Sequence, residues 1–144
     1  MDRRTLFAVA GAAAALGGPV SQAFAQGTGA SSMHPAKYKA LEESTARCVA
    51  TANDCLRHCL GMLSMKDVSM AGCTESAYQL AAACSALQTL AAVNSTHVPA
   101  FAKAVGAVCS ACQQECEKFP AIAECKACGD ACRTCAEECR KVSA

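Results

Sequence analysis

Thirteen cysteines in a chain of 144 residues constrain this protein more than any other feature. Such a cysteine content is typical of a small disulfide scaffold, but an odd number leaves at least one thiol unpaired. The cysteines are also regularly spaced, and the last run reads Cys125-x2-Cys128-x3-Cys132-x2-Cys135-x3-Cys139. Alternating steps of three and four residues place side chains on one face of an α-helix. The spacing therefore predicts helices that each present a row of thiols on one side.

Four segments of the chain are predicted to be helical, and none to be a strand. Alanine is abundant, and the sequence contains no Asn-Gly or Asp-Gly pair, the dipeptides that favour hairpins. Pro35, Pro99 and Pro120 each lie where a helix could begin, because proline suits the first turn. The predicted helices span residues 35–64, 70–93, 99–118 and 121–142. Short connections between long helices indicate an all-α fold, an antiparallel up-down-up-down four-helix bundle over residues 35–144.

The inward-facing stripe of each predicted helix contains cysteines but no Lys, Arg, Asp or Glu. The stripes of the four helices, in chain order, are Leu41, Thr45, Cys48, Ala52, Cys55, Cys59 and Met62; Cys73, Ala77, Leu80, Cys84, Leu87 and Ala91; Ala102, Val105, Cys109, Cys112, Cys116 and Phe119; and Cys125, Cys128, Cys132, Cys135, Cys139 and Val142. All thirteen cysteines lie on these stripes. We therefore expect a core lined with cysteine where leucine would normally pack.

The antiparallel order gives the two ends of the bundle different chemistry. The end that holds the first and third connections, which we call the mouth, carries four potential metal donors: His58, Met62, Met65 and Met70. The opposite end is predicted to be closed by apolar residues, namely Leu41, Leu87, Leu90, Phe101 and Val105. Counted along the helices from the mouth, the deepest thiols are expected to be those of Cys48, Cys84 and Cys139.

Disulfide bonds, iron–sulfur clusters and zinc fit this pattern less well than monovalent copper does. Cysteines three or four apart in a helix have Cβ atoms about 5–6 Å apart, whereas a disulfide needs about 3.5–4.5 Å, so only bridges between helices remain possible. Iron–sulfur ligands usually come from loops with a different spacing, whereas helix-forming residues separate these cysteines. A Zn²⁺ ion bound by four thiolates carries a net negative charge, which a core without cations would have to bury at high cost.

Cu(I) avoids this charge problem. Thiolate and thioether sulfurs are soft ligands that select Cu(I). If each ion binds two thiolates and each thiolate bridges two ions, the ratio approaches one Cu(I) per cysteine and the filled core is neutral. The empty core is neutral too, because buried thiols behave as small hydrophobic groups, and loading should release protons. The predicted ligands of the Cu(I) ions are the thirteen cysteines, with His58, Met62, Met65 and Met70 as weaker donors at the mouth.

Catalysis has little support in the sequence. No Ser/His/Asp arrangement, phosphate-binding loop or paired acidic site stands out, so we do not expect an enzyme. The alternative that the residues leave open is a thiol–disulfide redox buffer or oxidoreductase that cycles among the same cysteines. The near balance of 13 basic and 12 acidic residues, with 4% aromatic residues and no Trp, argues against nucleic-acid binding.

The first 25 residues have the features of a cleavable export signal. Arg3 and Arg4 precede a weakly apolar stretch over residues 6–18, and Ala23-Phe24-Ala25 forms a small-x-small cleavage signal. The paired arginines indicate the twin-arginine route, and the apolar stretch is too short to leave a membrane span in the mature form. Residues 26–34 are expected to be a flexible lead-in. This signal predicts a location in the periplasm or in the lumen of an internal membrane.

The twin-arginine leader, the four cysteine-striped helices and the mouth residues together resemble the exported copper storage proteins of methane-oxidising bacteria. The resemblance covers the whole chain. It implies a four-helix bundle that stores many Cu(I) ions on cysteine thiolates, assembled as a homotetramer. It further implies that metal enters at the open end, past His58, Met62, Met65 and Met70, and that the stored copper supplies the membrane-bound methane monooxygenase.

Overall fold

Four α-helices and no strand make up residues 33–144, the part of the chain that the computed structural model describes. The helices are α1 (Lys39–Ser64), α2 (Ala71–Ala92), α3 (Val98–Cys116) and α4 (Ala123–Ser143). The predicted leader, residues 1–25, and most of the predicted lead-in lie outside the described residues. The all-α prediction is confirmed, and the predicted boundaries hold to within four residues.

Each helix packs against two neighbours, in the order α1–α2–α3–α4 and back to α1. Neighbours in sequence are joined by the short segments 65–70, 93–97 and 117–122, so they run antiparallel. The result is the up-down-up-down bundle that the sequence predicted, with one core between the four helices.

The start of α1 differs from the prediction because a side chain competes for the backbone there. Pro35 was expected to open the helix, but the side-chain amide of Asn94 donates to the Pro35 carbonyl (3.0 Å), and the Lys37 amide donates to Asn94 Oδ1 (2.8 Å). Asn94 itself adopts a positive φ of 54° in the segment between α2 and α3. These two hydrogen bonds attach the N-terminal segment to the closed end of the bundle. Helix α1 begins only at Lys39. Pro99, in contrast, occupies the first turn of α3 as predicted.

The core confirms the predicted division between thiols and aliphatic residues. Leu41, Leu87 and Val105 are buried at the end away from the mouth, and Leu90 and Phe101 pack half-buried against them. No Lys, Arg, Asp or Glu is buried within residues 33–144, and the ion pairs described there lie on helix surfaces. The interior of the bundle is therefore free of formal charge. None of the four helices is both long and apolar enough to cross a membrane.

Candidate metal centre

The thirteen thiols all point into the core, as the stripes predicted. Every cysteine has at most 1% of its surface exposed, and all are free thiols. Helix α1 contributes three, α2 two, α3 three and α4 five; in chain order they are Cys48, Cys55, Cys59, Cys73, Cys84, Cys109, Cys112, Cys116, Cys125, Cys128, Cys132, Cys135 and Cys139. Because the stripes alternate by three and four residues, the cysteines of each helix lie on one face and direct their sulfurs to the same axis.

One cluster, which we call the deep quartet, takes one cysteine from each helix. The Sγ atoms of Cys48, Cys84, Cys109 and Cys135 all lie within 4.8 Å of one another, and Cys84 and Cys109 are 4.0 Å apart. The three thiols predicted to be deepest are not one cluster: Cys48 and Cys84 are grouped with Cys109 and Cys135, and Cys139 lies one helical turn beyond Cys135 along α4. The packing of all four helices sets this grouping.

Three further groups of three thiols follow toward the mouth, each within the same 4.8 Å limit. These triads are Cys55, Cys59 and Cys73; Cys55, Cys116 and Cys128; and Cys112, Cys128 and Cys132. Cys55 and Cys128 each belong to two triads, so the groups form a connected series. Cys125 joins the series through Sγ–Sγ distances of 3.9 Å to Cys55 and to Cys73. A soft metal ion could thus pass from one set of sulfurs to the next without leaving the core.

Contacts among the thiols shift their pKa values in opposite directions. Neighbouring thiols lower the pKa of Cys48, chiefly through Cys109, and lower that of Cys73, chiefly through Cys116. Hydrogen bonds to other thiols, together with burial, raise the pKa of Cys109 and of Cys116. Burial raises the pKa of Cys125 to about 12. With no cationic side chain buried among the described residues, the thiols with raised pKa values release their protons readily only when a metal cation replaces them.

The four predicted mouth residues form a series from exposed to buried. Met65 is 68% exposed, whereas Met70 is only 1% exposed. Met62 and His58 are half-buried, and Nε2 of His58 is buried with no hydrogen-bond partner among the described residues. A buried imidazole nitrogen without a partner is costly unless a ligand satisfies it. The sequence placed all four residues at one end but did not distinguish the exposed thioether of Met65 from the buried one of Met70.

Comparison of the chain with known proteins identifies the family to which it belongs. A sequence model described as copper storage protein (Csp) matches residues 34–144. The chain belongs to the copper storage protein family. The match begins just before the first helix, so it includes the whole bundle and all thirteen cysteines but not the leader. No curated protein matches the chain.

Two solved structures of the copper storage protein family resemble this bundle. Apo-Csp3, copper storage protein 3 from Bacillus subtilis, is 29% identical; the match covers 74% of this chain and 98% of that chain, with a TM-score of 0.64. The Cu(I)-bound copper storage protein BsCsp3 is also 29% identical, with 74% of this chain and 97% of that chain covered and a TM-score of 0.67. The thiol clusters, the family and the Cu(I)-bound relative together support multiple Cu(I) ions per chain.

Sequence reasoning missed two features of this copper storage protein. It did not predict which cysteines share a cluster, because cluster membership depends on the register between helices. It also did not single out Gly106, which faces Cys139 across the contact between α3 and α4. A glycine within a cysteine-rich helix was the available signal, since glycine is unfavourable in a helix interior without a packing reason.

Proposed function

We propose that this chain stores Cu(I), at about one ion per cysteine, on the thiolates of its core. One observation carries the proposal: thirteen buried thiols converge in an interior that contains no charged side chain among the described residues. A family member with this arrangement has a storage role rather than a catalytic one. The chain's own residues hold the metal, exclude water and give up protons as the ions enter.

Charge balance decides the kind of metal. A bridging array with equal numbers of Cu(I) and thiolate is neutral, whereas divalent ions on separate tetrathiolate sites would each add net negative charge. The effective penalty for burying an uncompensated charge is several kcal/mol per ion. The sulfur separations of 3.5–4.0 Å allow one metal ion to contact two or three sulfurs at once.

Copper enters and leaves at the mouth in this proposal. Met65 offers an exposed thioether, Met62 and His58 are half-buried, and Cys59 belongs to the first triad. Thioethers hold Cu(I) as neutral ligands, more weakly than thiolates do, which suits capture and release. The buried, unpartnered Nε2 of His58 supports a ligand role for this residue.

We also propose that the protein is a homotetramer and that it is located outside the cytoplasm. The weakly charged outer faces of α2 and α3 support self-association: Glu75 is the only charged residue of α2, and Lys103 and Glu115 are the only ones of α3. Tyr78 on α2 is 70% exposed. Size-exclusion chromatography with light scattering tests this, because Tyr78→Glu should shift a tetramer toward smaller species.

The predicted twin-arginine signal supports export to the periplasm or to the lumen of an internal membrane. The resemblance to proteins of methane-oxidising bacteria supports a second proposal, that the stored copper supplies methane monooxygenase. Deleting the gene should then delay methane oxidation when copper is withdrawn from copper-replete cells. Cell fractionation with an antibody would locate the protein. An unchanged response to copper withdrawal would refute the supply role but leave storage intact.

A thiol–disulfide redox buffer is the second candidate, favoured by one contact. Cys55 Sγ and Cys73 Sγ are 3.5 Å apart, on α1 and α2. A disulfide needs the two sulfurs about 2.05 Å apart, so a modest approach of the helices would allow it.

Titration of the reduced full chain with Cu(I), in competition with a chromophoric chelator, separates the two candidates. Storage predicts saturation near one ion per cysteine, and C48S/C84S/C109S/C135S should bind about four ions fewer. Saturation at one or two ions, with reversible disulfide formation instead, would refute storage and favour the redox buffer.

A further inference from the structure

Gly106 on α3 faces Cys139 on α4. A Cβ atom built on Gly106 would stand 3.2 Å from the Cβ of Cys139, closer than Cβ atoms normally approach other heavy atoms. The Cβ of Cys139 is fixed to the backbone of α4, so it cannot rotate away as the end of a long side chain could. A Cβ at position 106 would therefore require α3 and α4 to separate locally by a few tenths of an ångström.

The other described glycines do not impose this constraint. A Cβ at Gly61 would meet nothing within 4 Å, and one at Gly129 would meet the Cβ of Cys116 at 3.4 Å, an ordinary van der Waals contact. A Cβ at Gly72 would meet the carboxylate of Glu115, the mobile end of a side chain. Gly106 is the glycine among residues 33–144 at which a helix backbone would have to move.

The position of Gly106 connects it to the deep quartet. Gly106 precedes Cys109 by three residues, and Cys139 follows Cys135 by four, so the Gly106–Cys139 contact lies one helical turn from both quartet cysteines. Cys109 and Cys135 are the ligands that α3 and α4 supply to the quartet. The separation of the helices at Gly106 therefore sets the separation of these two sulfurs.

We propose that Gly106 is a positioning residue that holds Cys109 and Cys135 within metal-bridging distance in the deep quartet. The inference rests on the proposed function, because it requires the quartet to bind Cu(I). It also gives a reason for a glycine inside a helix, where alanine would be intrinsically more stable.

The test compares Gly106→Ala with Gly61→Ala and Gly129→Ala in the full chain. Each variant is loaded with Cu(I) and then challenged with increasing chelator, while circular dichroism of the empty form monitors folding. Substitutions that disturb the support of metal ligands typically weaken binding by about 10–100-fold. We expect the most tightly held Cu(I) ions of G106A to be lost at about tenfold lower chelator concentration, with G61A and G129A close to wild type. Equal retention in all three variants would overturn the proposal.

Two further variants separate positioning from a general loss of stability. In a C109S/C135S background, which lacks the α3 and α4 ligands of the quartet, Gly106→Ala should have no additional effect on Cu(I) retention; a further tenfold loss would refute the positioning role. Cys139→Gly removes the opposing Cβ, so G106A/C139G should retain Cu(I) as C139G does, even if G106A alone folds poorly. Failure of this rescue would also refute the proposal. If wild type itself binds no copper, the storage function fails independently of Gly106.

Discussion

Lowering the pH should weaken the retention of Cu(I) by the chain. The size of the effect depends on how many thiols of the deep quartet are protonated before Cu(I) binds. Hydrogen bonding to Cys135, with burial, raises the pKa of Cys109. Contact with Cys109 lowers the pKa of Cys84. Hydrogen bonds to Cys135 and Cys48, together with burial, raise this pKa by more, so the net effect is a raised pKa of Cys84. Cys84 and Cys109 therefore keep their protons at neutral pH until Cu(I) replaces them.

The magnitude follows from proton counting. Filling the quartet releases at least two protons, so its formation constant should fall at least about a hundredfold for each unit decrease in pH, or about 2.7 kcal/mol. The sign is fixed because a group with a raised pKa is protonated throughout the neutral range, and protons compete with Cu(I) for its sulfur. Contacts with neighbouring thiols, chiefly Cys109, lower the pKa of Cys48, so this thiol gives up its proton to the metal more readily than Cys84 or Cys109 does.

Calorimetric titration of the reduced chain with Cu(I), in buffers that differ in ionisation enthalpy, measures the protons released per ion. Neutral bridging clusters predict no more than one proton per Cu(I) over the full load. A ratio near two would mean that each ion takes two unshared thiolates and leaves a negative charge in the core. That result, or retention that does not depend on pH, would refute the charge-balance argument.

Three other variants test separate parts of the structure. Replacing Met62 and Met65 with leucine should slow Cu(I) uptake in stopped-flow measurements but leave the final stoichiometry unchanged; a large fall in stoichiometry would contradict their placement at the mouth. Asn94→Gly keeps the positive φ but removes the hydrogen bonds of 2.8 and 3.0 Å to the N-terminal segment. It should lower the free energy of unfolding by about 1–3 kcal/mol in denaturant titrations. No change in this free energy would show that the two hydrogen bonds are not stabilising. Leu87→Ala, at a fully buried position, should lower the free energy of unfolding by about 2–5 kcal/mol without altering the number of Cu(I) ions bound. A changed number of ions would show that the closed end is coupled to the metal sites.

The helices and the buried face of each were predictable because both depend on local spacing. Steps of three and four residues place Cys125, Cys128 and Cys132 on one face whatever the helix packs against. Helix ends were less predictable, since Asn94, distant in sequence, binds the backbone at Pro35 and delays α1. The mouth residues were placed at one end by topology alone, but the difference in exposure between Met65 and Met70 depends on how the connecting segment folds back.

The sequence by itself determined that this chain forms helices and places thirteen thiols on helix faces without Lys, Arg, Asp or Glu, since helical periodicity and hydrophobicity are properties of the local order of residues. Only the tertiary structure decided which thiols meet. Cys48, Cys84, Cys109 and Cys135 come from four helices, and their distances depend on how far apart those helices pack. That separation is set by contacts such as the one between Gly106 and Cys139, which join residues far apart in the chain.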